Sequence, residues 1–514
     1  MKKKINHILP ALVLTASLGL TTVSCNGFLD EMPDNRTELN TDQKIAKLLV
    51  SAYADVSPNE LFELYSDNSD DSGPTYGYYK LSEQECYHWQ DTKEEYQDTP
   101  NSLWGGYYSA IAAANMALNA IEEKGNPASL DPQRGEALVC RAYCHFMLAN
   151  IFCNAYDTHA SQSLGVPYME EVETTVSPRY ERGTLEEVYR KVERDLLEGI
   201  DLISDDSYSV PKYHFTRKAA YAFAARFYLY YMKPDFSNCD RVIDFATRVL
   251  GTNPADLLRN WEALGNLSVN GNVQADAYIA SSNEANLLIS STVSNWGAIG
   301  SDYLIGPRYF HNQTLATSET CLSSGLWGSS DYFYLKPFST NGFVASILRK
   351  SGLYEGTYLY YMPVLFSTDE TLLCRAEAYA LKKMYAQSAA DITSWQRAYT
   401  RNKSVLTPEQ INTYYDRMSF YTPFTQQTPK KKLAPDFMIE EGMQENFIHC
   451  ILHIRRITTL HEGMRWPDIK RYGILIYRRD MANQRVTDEM PPNDLRYAIQ
   501  IPRSVLSLIH ISEP

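Results

Sequence analysis

Apolar positions recur at helical spacing along most of the chain, and the breaks in that rhythm mark its organisation. From Thr41 onward, Ile45, Leu48, Leu49 and Ala52 fall on one stripe, and the Thr41 hydroxyl can accept a free N–H of the first turn. Thr41–Val56 is therefore predicted as the first helix. The same period predicts helices over Ser102–Glu123, Pro132–Tyr156, Leu185–Leu202, Arg217–Tyr231 and Cys239–Leu250. Ser66 to Asp91 is polar and rich in Asp, Gly and Tyr, and reads as loop. From Asn253 to Pro363 the helical rhythm stops, giving way to Gly, Ser, Asn and aromatics with short extended runs such as Leu287–Ser290. An irregular stretch of that length inside a folded protein usually carries function. Helix resumes over Asp369–Tyr385, Ala389–Thr400 and Pro408–Met418. A basic loop, Pro429 to Lys432, precedes the last long helix, Ile439–Leu460.

Three of these helices echo one another: "CRAYCHFML" from Cys140, "AARFYLYYM" from Ala224 and "CRAEAYALKKMY" from Cys374. Each sets small residues beside tyrosines, and small residues let antiparallel helices approach closely. Arg217–Tyr231 with Cys239–Leu250, and Asp369–Tyr385 with Ala389–Thr400, look like tetratricopeptide hairpins. Their uneven spacing excludes a regular array of roughly 34-residue repeats. The fold class predicted is mainly α, with degenerate hairpins of this kind embedded in a larger fold and a long loop-rich region with short strands. The arginines and tyrosines of the echoes are expected to pack helices.

Ahead of this body, Lys2, Lys3 and Lys4 precede an apolar run from Ile8 to Leu20, then Thr21, Thr22 and Ser24. That is the layout of a secretory signal, and the run is shorter than the roughly 20 residues a membrane span needs. Ending on Thr-Val-Ser-Cys, it reads as a bacterial lipoprotein signal cut before Cys25, which would then carry the lipid. Asn26 to Asn40 would be a tether reaching at most about 50 Å.

The formal net charge of −14 argues against nucleic acid as a partner, since that requires basic surface. Past Cys25, Cys140, Cys144, Cys239 and Cys374 fall in apolar helical segments, where cysteine acts as a small core residue, and no CxxC pair suggests a metal ribbon. The 38 tyrosines against 18 phenylalanines hint at ligand contact, because tyrosine offers a flat apolar face and a hydroxyl together.

The seam cysteine with "NGFLDEMPDN", the segments "LWGGYYSAIAAANMALNAI" and "GEALVCRAYCHFMLANIF", the later "STDETLLCRAEAYAL" and the closing "RRITTLHEGMRWPDIKRYG" together resemble the SusD/RagB family. These are outer-membrane lipoproteins of Bacteroidetes, and the likeness runs in order from about Cys25 to Arg503. It implies a mostly helical SusD-like fold and a lipid-anchored, cell-surface protein that captures nutrient and caps a SusC-like TonB-dependent transporter. With no catalytic or cofactor motif in the sequence, no cofactor and no catalysis are expected. Pro467 departs from the pattern, standing where an aromatic is more usual. "IPRSV" suits a family C-terminus, whereas "LSLIHISEP" reads as translated sequencing-adapter sequence. The expected organisation is a signal peptide at 1–24, a lipidated tether at 25–40, an N-terminal helical region at 41–252, a C-terminal region at 253–505, and 506–514 set apart.

"HEGMR" at His461 falls short of a zinc-protease helix, because Arg465 stands where the second histidine is needed. No nucleophile elbow, phosphate loop or dinucleotide fingerprint occurs. Arg465, Trp466, Asp468 and Arg471 are expected to form a structural knot. "SDNSDDSG", Ser66 to Gly73, clusters oxygen ligands but lacks the spacing of a calcium loop, and reads as a solvated loop.

For ligand binding, sugar rings stack on aromatics while their hydroxyls seek Asn, Asp, Gln and Arg. Two stretches supply both: Tyr76, Tyr78, Tyr79, Tyr87, His88 and Trp89 early, and Asn295, Trp296, Asp302, Tyr303, Arg308, Tyr309, Trp327, Tyr332 and Tyr334 mid-chain. The ring platforms Trp296 and Trp327 are expected to be exposed. A glycan is the favoured oligosaccharide ligand. A peptide, or a scaffolding role for the hairpins, is the alternative.

Overall fold

Thr41 accepts a hydrogen bond from the Lys44 N–H at 3.3 Å and opens α1 (Asp42–Leu48). This helix tightens into a 3₁₀ turn, Leu49–Ala52, instead of running on to Val56. Pro58 ahead disfavours helical backbone at Ser57, and the chain restarts as α2 (Asn59–Tyr65). The computed structural model describes residues 39–75, 80–174, 179–268, 273–296, 308–321, 325–335, 353–355, 358–481 and 483–506. The chain divides into Met1–Leu39 and Asn40–Pro514, and every element below belongs to the second unit.

The next helices are α3 (Leu81–Tyr87), α4 (Pro100–Glu123), α5 (Asp131–Phe152), α6 (Leu185–Leu202), α7 (Arg217–Tyr230) and α8 (Asn238–Leu250). Two short ones follow, α9 (Trp261–Gly265) and α10 (Val273–Ile279), then a single turn, α11 (Gln313–Leu315). The C-terminal helices are α12 (Thr368–Leu381), α13 (Tyr385–Tyr399), α14 (Pro408–Arg417), α15 (Met443–Thr458) and α16 (Arg465–Tyr472). The fold is mainly helical, as the apolar rhythm predicts. The short helices α2, α3, α9 and α10 were not predicted, because one or two turns hold too few apolar repeats to show a period.

The echo segments lock helices to one another. Arg141 of α5 donates to Asp195 of α6 at 2.6 Å, Arg226 of α7 to Glu370 of α12 at 3.0 Å, and Arg375 of α12 to Asp391 of α13 at 2.9 and 2.8 Å. The same arginine in each echo thus makes a buried inter-helix ion pair. Where α5 crosses α6, a Cβ on Gly135 would lie 2.8 Å from the Gly199 carbonyl oxygen, and one on Gly199 would lie 2.8 Å from that of Gly135. Neither position has room for a side chain. The tyrosines largely join this core: Tyr143, Tyr189, Tyr228, Tyr230 and Tyr231 are buried among Phe146, Phe223 and Phe227. For them the hint of ligand contact is corrected. Hydroxyl partners make burial tolerable, as where the Tyr228 O–H donates to Glu193 at 2.7 Å.

The strands are short: β1 (Asp70–Asp71), β2 (Asn286–Ile289), β3 (Thr292–Val293), β4 (Tyr309–Phe310), β5 (Leu353–Glu355), β6 (Tyr358–Tyr361), β7 (Val364–Ser367), β8 (Ile476–Asp480) and β9 (Arg485–Met490). One sheet has the order β4-β1-β8-β9, so three distant parts of the chain meet in it. β1 runs antiparallel to β4, with Asp71 opposite Tyr309, and parallel to β8.

This placement overturns the solvated-loop reading of Ser66–Gly73. Ser66 to Asp70 are buried, and the acidic side chains are taken up by cations: Asp67 by Arg465, Arg456 and Lys431, Asp70 by Arg479, and Asp71 by Arg308. Those carboxylates face guanidinium and ammonium groups rather than a free calcium position. The closing motif forms the expected knot. Trp466 is fully buried, edge-on to Tyr65 and Tyr497, and Asp468 joins Arg455 and Arg471 at 3.0 Å each. Pro467 sits in the first turn of α16, where its missing N–H leaves no helical bond unmade. The eight cysteines past Cys25 are buried free thiols, in keeping with the reading of Cys140, Cys144, Cys239 and Cys374 as core residues.

Candidate functional site

Packing brings the early and middle aromatic stretches together at the β1–β4 pair. Arg308 donates from Nε and Nη2 to the two carboxylate oxygens of Asp71, both at 2.8 Å, a bidentate pair that fixes the start of β4. The Ser72 N–H donates to the Arg308 carbonyl at 2.9 Å. Tyr87, at the end of α3, stacks on Tyr309 with centroids 4.6 Å apart, and its hydroxyl accepts the Asp71 N–H at 3.1 Å. His88 meets both rings edge-on. Burial, then the nearby Arg478 guanidinium, lowers its pKa and favours the neutral imidazole.

A second link runs through Asn295. Its N–H donates to Asp98 at 2.8 Å, and its side-chain oxygen accepts from Gln97 at 3.2 Å. Gln97 and Asp98 were missed because nothing in their local sequence distinguishes them from loop. Asp98 is buried, which raises its carboxyl pKa, and it holds the chain into Trp296.

The expectation of exposed platforms is corrected at six positions. Tyr87, Trp89, Trp296, Tyr309, Trp327 and Tyr334 are all buried. Trp89 donates its indole N–H to the Tyr65 carbonyl at 2.9 Å, and the guanidinium groups of Arg478 and Arg496 lie 4.0 and 5.1 Å from its ring centroid. Trp296 donates to the His461 carbonyl at 2.8 Å and packs with Phe310, Tyr361 and Leu460. Trp327 packs against Trp395, Phe333 and His453. In each case the apolar ring gains more from protein contacts than from water, so loop residues have become core.

Tyr332 is different: its side chain is 43% exposed, while its carbonyl accepts the Arg401 N–H at 2.7 Å. Arg308 and Asn295 are partly exposed. Beside the 325–335 segment an open groove of about 730 Å³ runs along α14, lined by Leu326, Leu406, Glu409, Gln410, Tyr414 and Arg417. Burial raises Tyr414 to about 12, so its hydroxyl stays protonated and can both donate and accept. Leu326 and α14 are far apart in sequence, so only the fold reveals the groove. Of the remaining candidates, Tyr76, Tyr78, Tyr79, Asp302, Tyr303 and the lipidation position Cys25 lie outside the described residues. Among the described residues no helix is long and apolar enough to cross a membrane.

Residues 27–229 match a SusD-like family described as starch-binding and associating with the outer membrane. A search of curated proteins found no match. Among solved structures, a SusD superfamily protein from Bacteroides fragilis superposes with a TM-score of 0.62 at 15% identity, covering 92% of this chain and 100% of that one. A SusD-like carbohydrate binding protein from Bacteroides vulgatus gives 0.61 at 14% identity, covering 91% and 96%. A SusD superfamily protein from Bacteroides thetaiotaomicron gives 0.56 at 17% identity, covering 91% and 98%. Likeness at such identities speaks to the fold. The chain therefore shares the fold of these SusD superfamily structures, and its residues 27–229 are similar to the SusD-like family.

Proposed function

We propose that this chain is a cell-surface lipoprotein, anchored through Cys25 in the outer membrane, which captures a glycan and closes over a SusC-like TonB-dependent transporter. It binds its ligand and does not transform it. The observation that carries the reading is the match of residues 27–229 to a family described as starch-binding and associating with the outer membrane. The exposed features suit it. Tyr332 offers a ring face, and the neighbouring groove offers a second ring at Tyr414 with carboxylate, amide and guanidinium groups at Glu409, Gln410 and Arg417. That is the combination a sugar's C–H faces and hydroxyls use. Of the residues that the sequence marks, Tyr332, Asn295 and Arg308 remain candidates for ligand contact, together with Tyr76, Tyr78 and Tyr303. The buried Tyr87, Trp89, Trp296 and Trp327 are not among the candidates for ligand contact.

Calorimetric titration of the mature protein against soluble starch-type, mannan and galactan oligosaccharides tests the reading. One of them should bind, and Tyr332→Ala should weaken that binding about tenfold or more. Absence of binding to the whole set would remove the glycan reading. Gentle detergent extraction from cells expressing the locus should recover a barrel partner. Recovery of the lipoprotein alone would remove the lid.

A further inference from the structure

A second cleft, of about 540 Å³, opens among residues that neither aromatic stretch includes. Its walls come from Leu49–Ala52 and the adjoining Tyr53–Asp55, from the Gly106–Ala110 face of α4, from Tyr213 and His214, and from the β2–β3 turn at Ser290–Ser291. The volume lies within the roughly 300–1,000 Å³ range of small-molecule sites.

His214 on this wall is held from three sides. Tyr208 stacks on it with centroids 4.5 Å apart and planes 9° apart, Tyr53 meets it edge-on at 5.9 Å, and Nδ1 lies 2.7 Å from Glu136 Oε1. The ends of the network set its polarity. The Phe215 N–H donates to the Tyr53 oxygen at 2.7 Å, and the Tyr53 O–H donates to Glu136 Oε1 at 2.6 Å. The same carboxylate oxygen accepts from His214 Nδ1. Neutral His214 therefore carries its proton on Nδ1 and presents the Nε2 lone pair as an acceptor. Among the described residues Nε2 has no protein partner. An acceptor oriented by stacking, edge contact and a buried carboxylate is prepared for a donor from outside.

The rest of the lining defines that donor's chemistry. Tyr213 is 38% exposed and puts an aromatic ring at the cleft, and Ser51, Ser109 and Ser291 add hydroxyls that can donate or accept. Among the described residues no lysine or arginine lines it and Asp55 adds an exposed carboxylate, which together disfavour an anion and offer a sugar hydroxyl a further acceptor, and the hydroxyls disfavour a wholly apolar guest. We infer that this cleft is a second binding site, for a short neutral saccharide: Tyr213 stacks on a sugar face, His214 Nε2 accepts a sugar hydroxyl proton, and the serines bond the remaining hydroxyls.

The test uses the mature chain labelled at histidine, with long-range proton–nitrogen spectra recorded against maltotriose, cellotriose and mannotriose. At least one trisaccharide should shift the His214 Nε2 signal. Ser109→Trp, which fills the cleft from an exposed helix position, and Tyr213→Ala, which removes the rim ring, should each weaken that response about tenfold with melting temperatures unchanged. Tyr332→Ala should leave it intact, which separates this cleft from the groove along α14. The inference is overturned if no trisaccharide shifts His214 in the parent protein. It is also overturned if the response survives unweakened in both cleft variants, or is lost equally in Tyr332→Ala.

Discussion

Arg465 donates from Nε and Nη2 to the two carboxylate oxygens of Asp67, at 2.7 and 2.9 Å, across 398 residues of sequence. Around this pair a buried network continues: Lys431 and Arg456 reach Asp67 and also Glu319, the latter at 2.9 and 3.1 Å, and Arg479 joins Asp70 at 2.6 Å. Burial alone would raise the Asp67 carboxyl, but Arg456, Arg465 and Lys431 outweigh it and hold the pKa well below the usual carboxylate range. Its stabilising contribution is therefore full above the unfolded-state value of about 3.9 and is lost as pH falls toward the folded value. Asp67→Asn leaves three buried cations short of a counter-charge, and should cost about 3–5 kcal/mol in denaturant unfolding. A loss under about 1 kcal/mol would show that the network is not a strut of the fold.

The buried tryptophans of the loop region should behave as core. Trp296→Ala removes both its packing on Phe310, Tyr361 and Leu460 and its bond to the His461 carbonyl. We expect a loss of about 3–5 kcal/mol, and the same range for Trp327→Ala. Tyr332→Ala, at an exposed ring, should stay within about 0.5 kcal/mol. Unaltered melting of Trp296→Ala would return that ring to the surface.

What the sequence disclosed and what it hid follow from range of interaction. Long helices were legible because their apolar stripe repeats locally: Leu185–Leu202 was predicted to the residue, and Thr41 was read correctly as a cap. The echoing arginines were legible as packing residues, although their partners were not. Burial of the 66–70 segment was illegible, because its acidic run is indistinguishable from a solvated loop until Arg465, Arg479 and Arg308 arrive from far along the chain. The aromatic stretches were found as a pair, and the Asp71–Arg308 bridge does join them. Which rings face water was decided by neighbours such as His461 and Trp395, which no local pattern names.

Glu63 should make stability fall with rising pH over a definite window. It is buried in α2, and although it accepts from Asn68 at 2.9 Å and from the Gly463 N–H at 3.1 Å, burial dominates and raises its pKa to about 7. Between the unfolded-state value near 4.5 and about 7, the native state holds a proton that the unfolded state has released. Its contribution is thus full below the lower value and lost as pH climbs to the upper one, by on the order of 3 kcal/mol at most. Unfolding free energies measured across this range should lose that component in Glu63→Gln. Identical pH profiles for the two proteins would place the Glu63 pKa near its ordinary value.

Lys470 closes the end of α5 from another part of the chain. The last carbonyls of a helix lack partners within it and carry its negative dipole end. Lys470 Nζ donates to the Asn150 and Cys153 carbonyls, both at 2.7 Å, and to that of Tyr497 at 3.3 Å, while the Ile499 N–H takes the Ile151 carbonyl at 3.1 Å. Lys470 is buried. Lys470→Met keeps the length of the side chain but strands the Asn150 and Cys153 carbonyls, each costing about 1–3 kcal/mol when left unsatisfied. We expect a total loss of about 3 kcal/mol or more, with hydrogen exchange accelerated first at the C-terminal turn of α5 and around Ile499. Tyr332→Ala, at the other extreme, should leave exchange at both places unchanged. If Lys470→Met unfolds at the parent's denaturant midpoint, those carbonyls have other partners, and the lysine does not tie the C-terminal segment to α5.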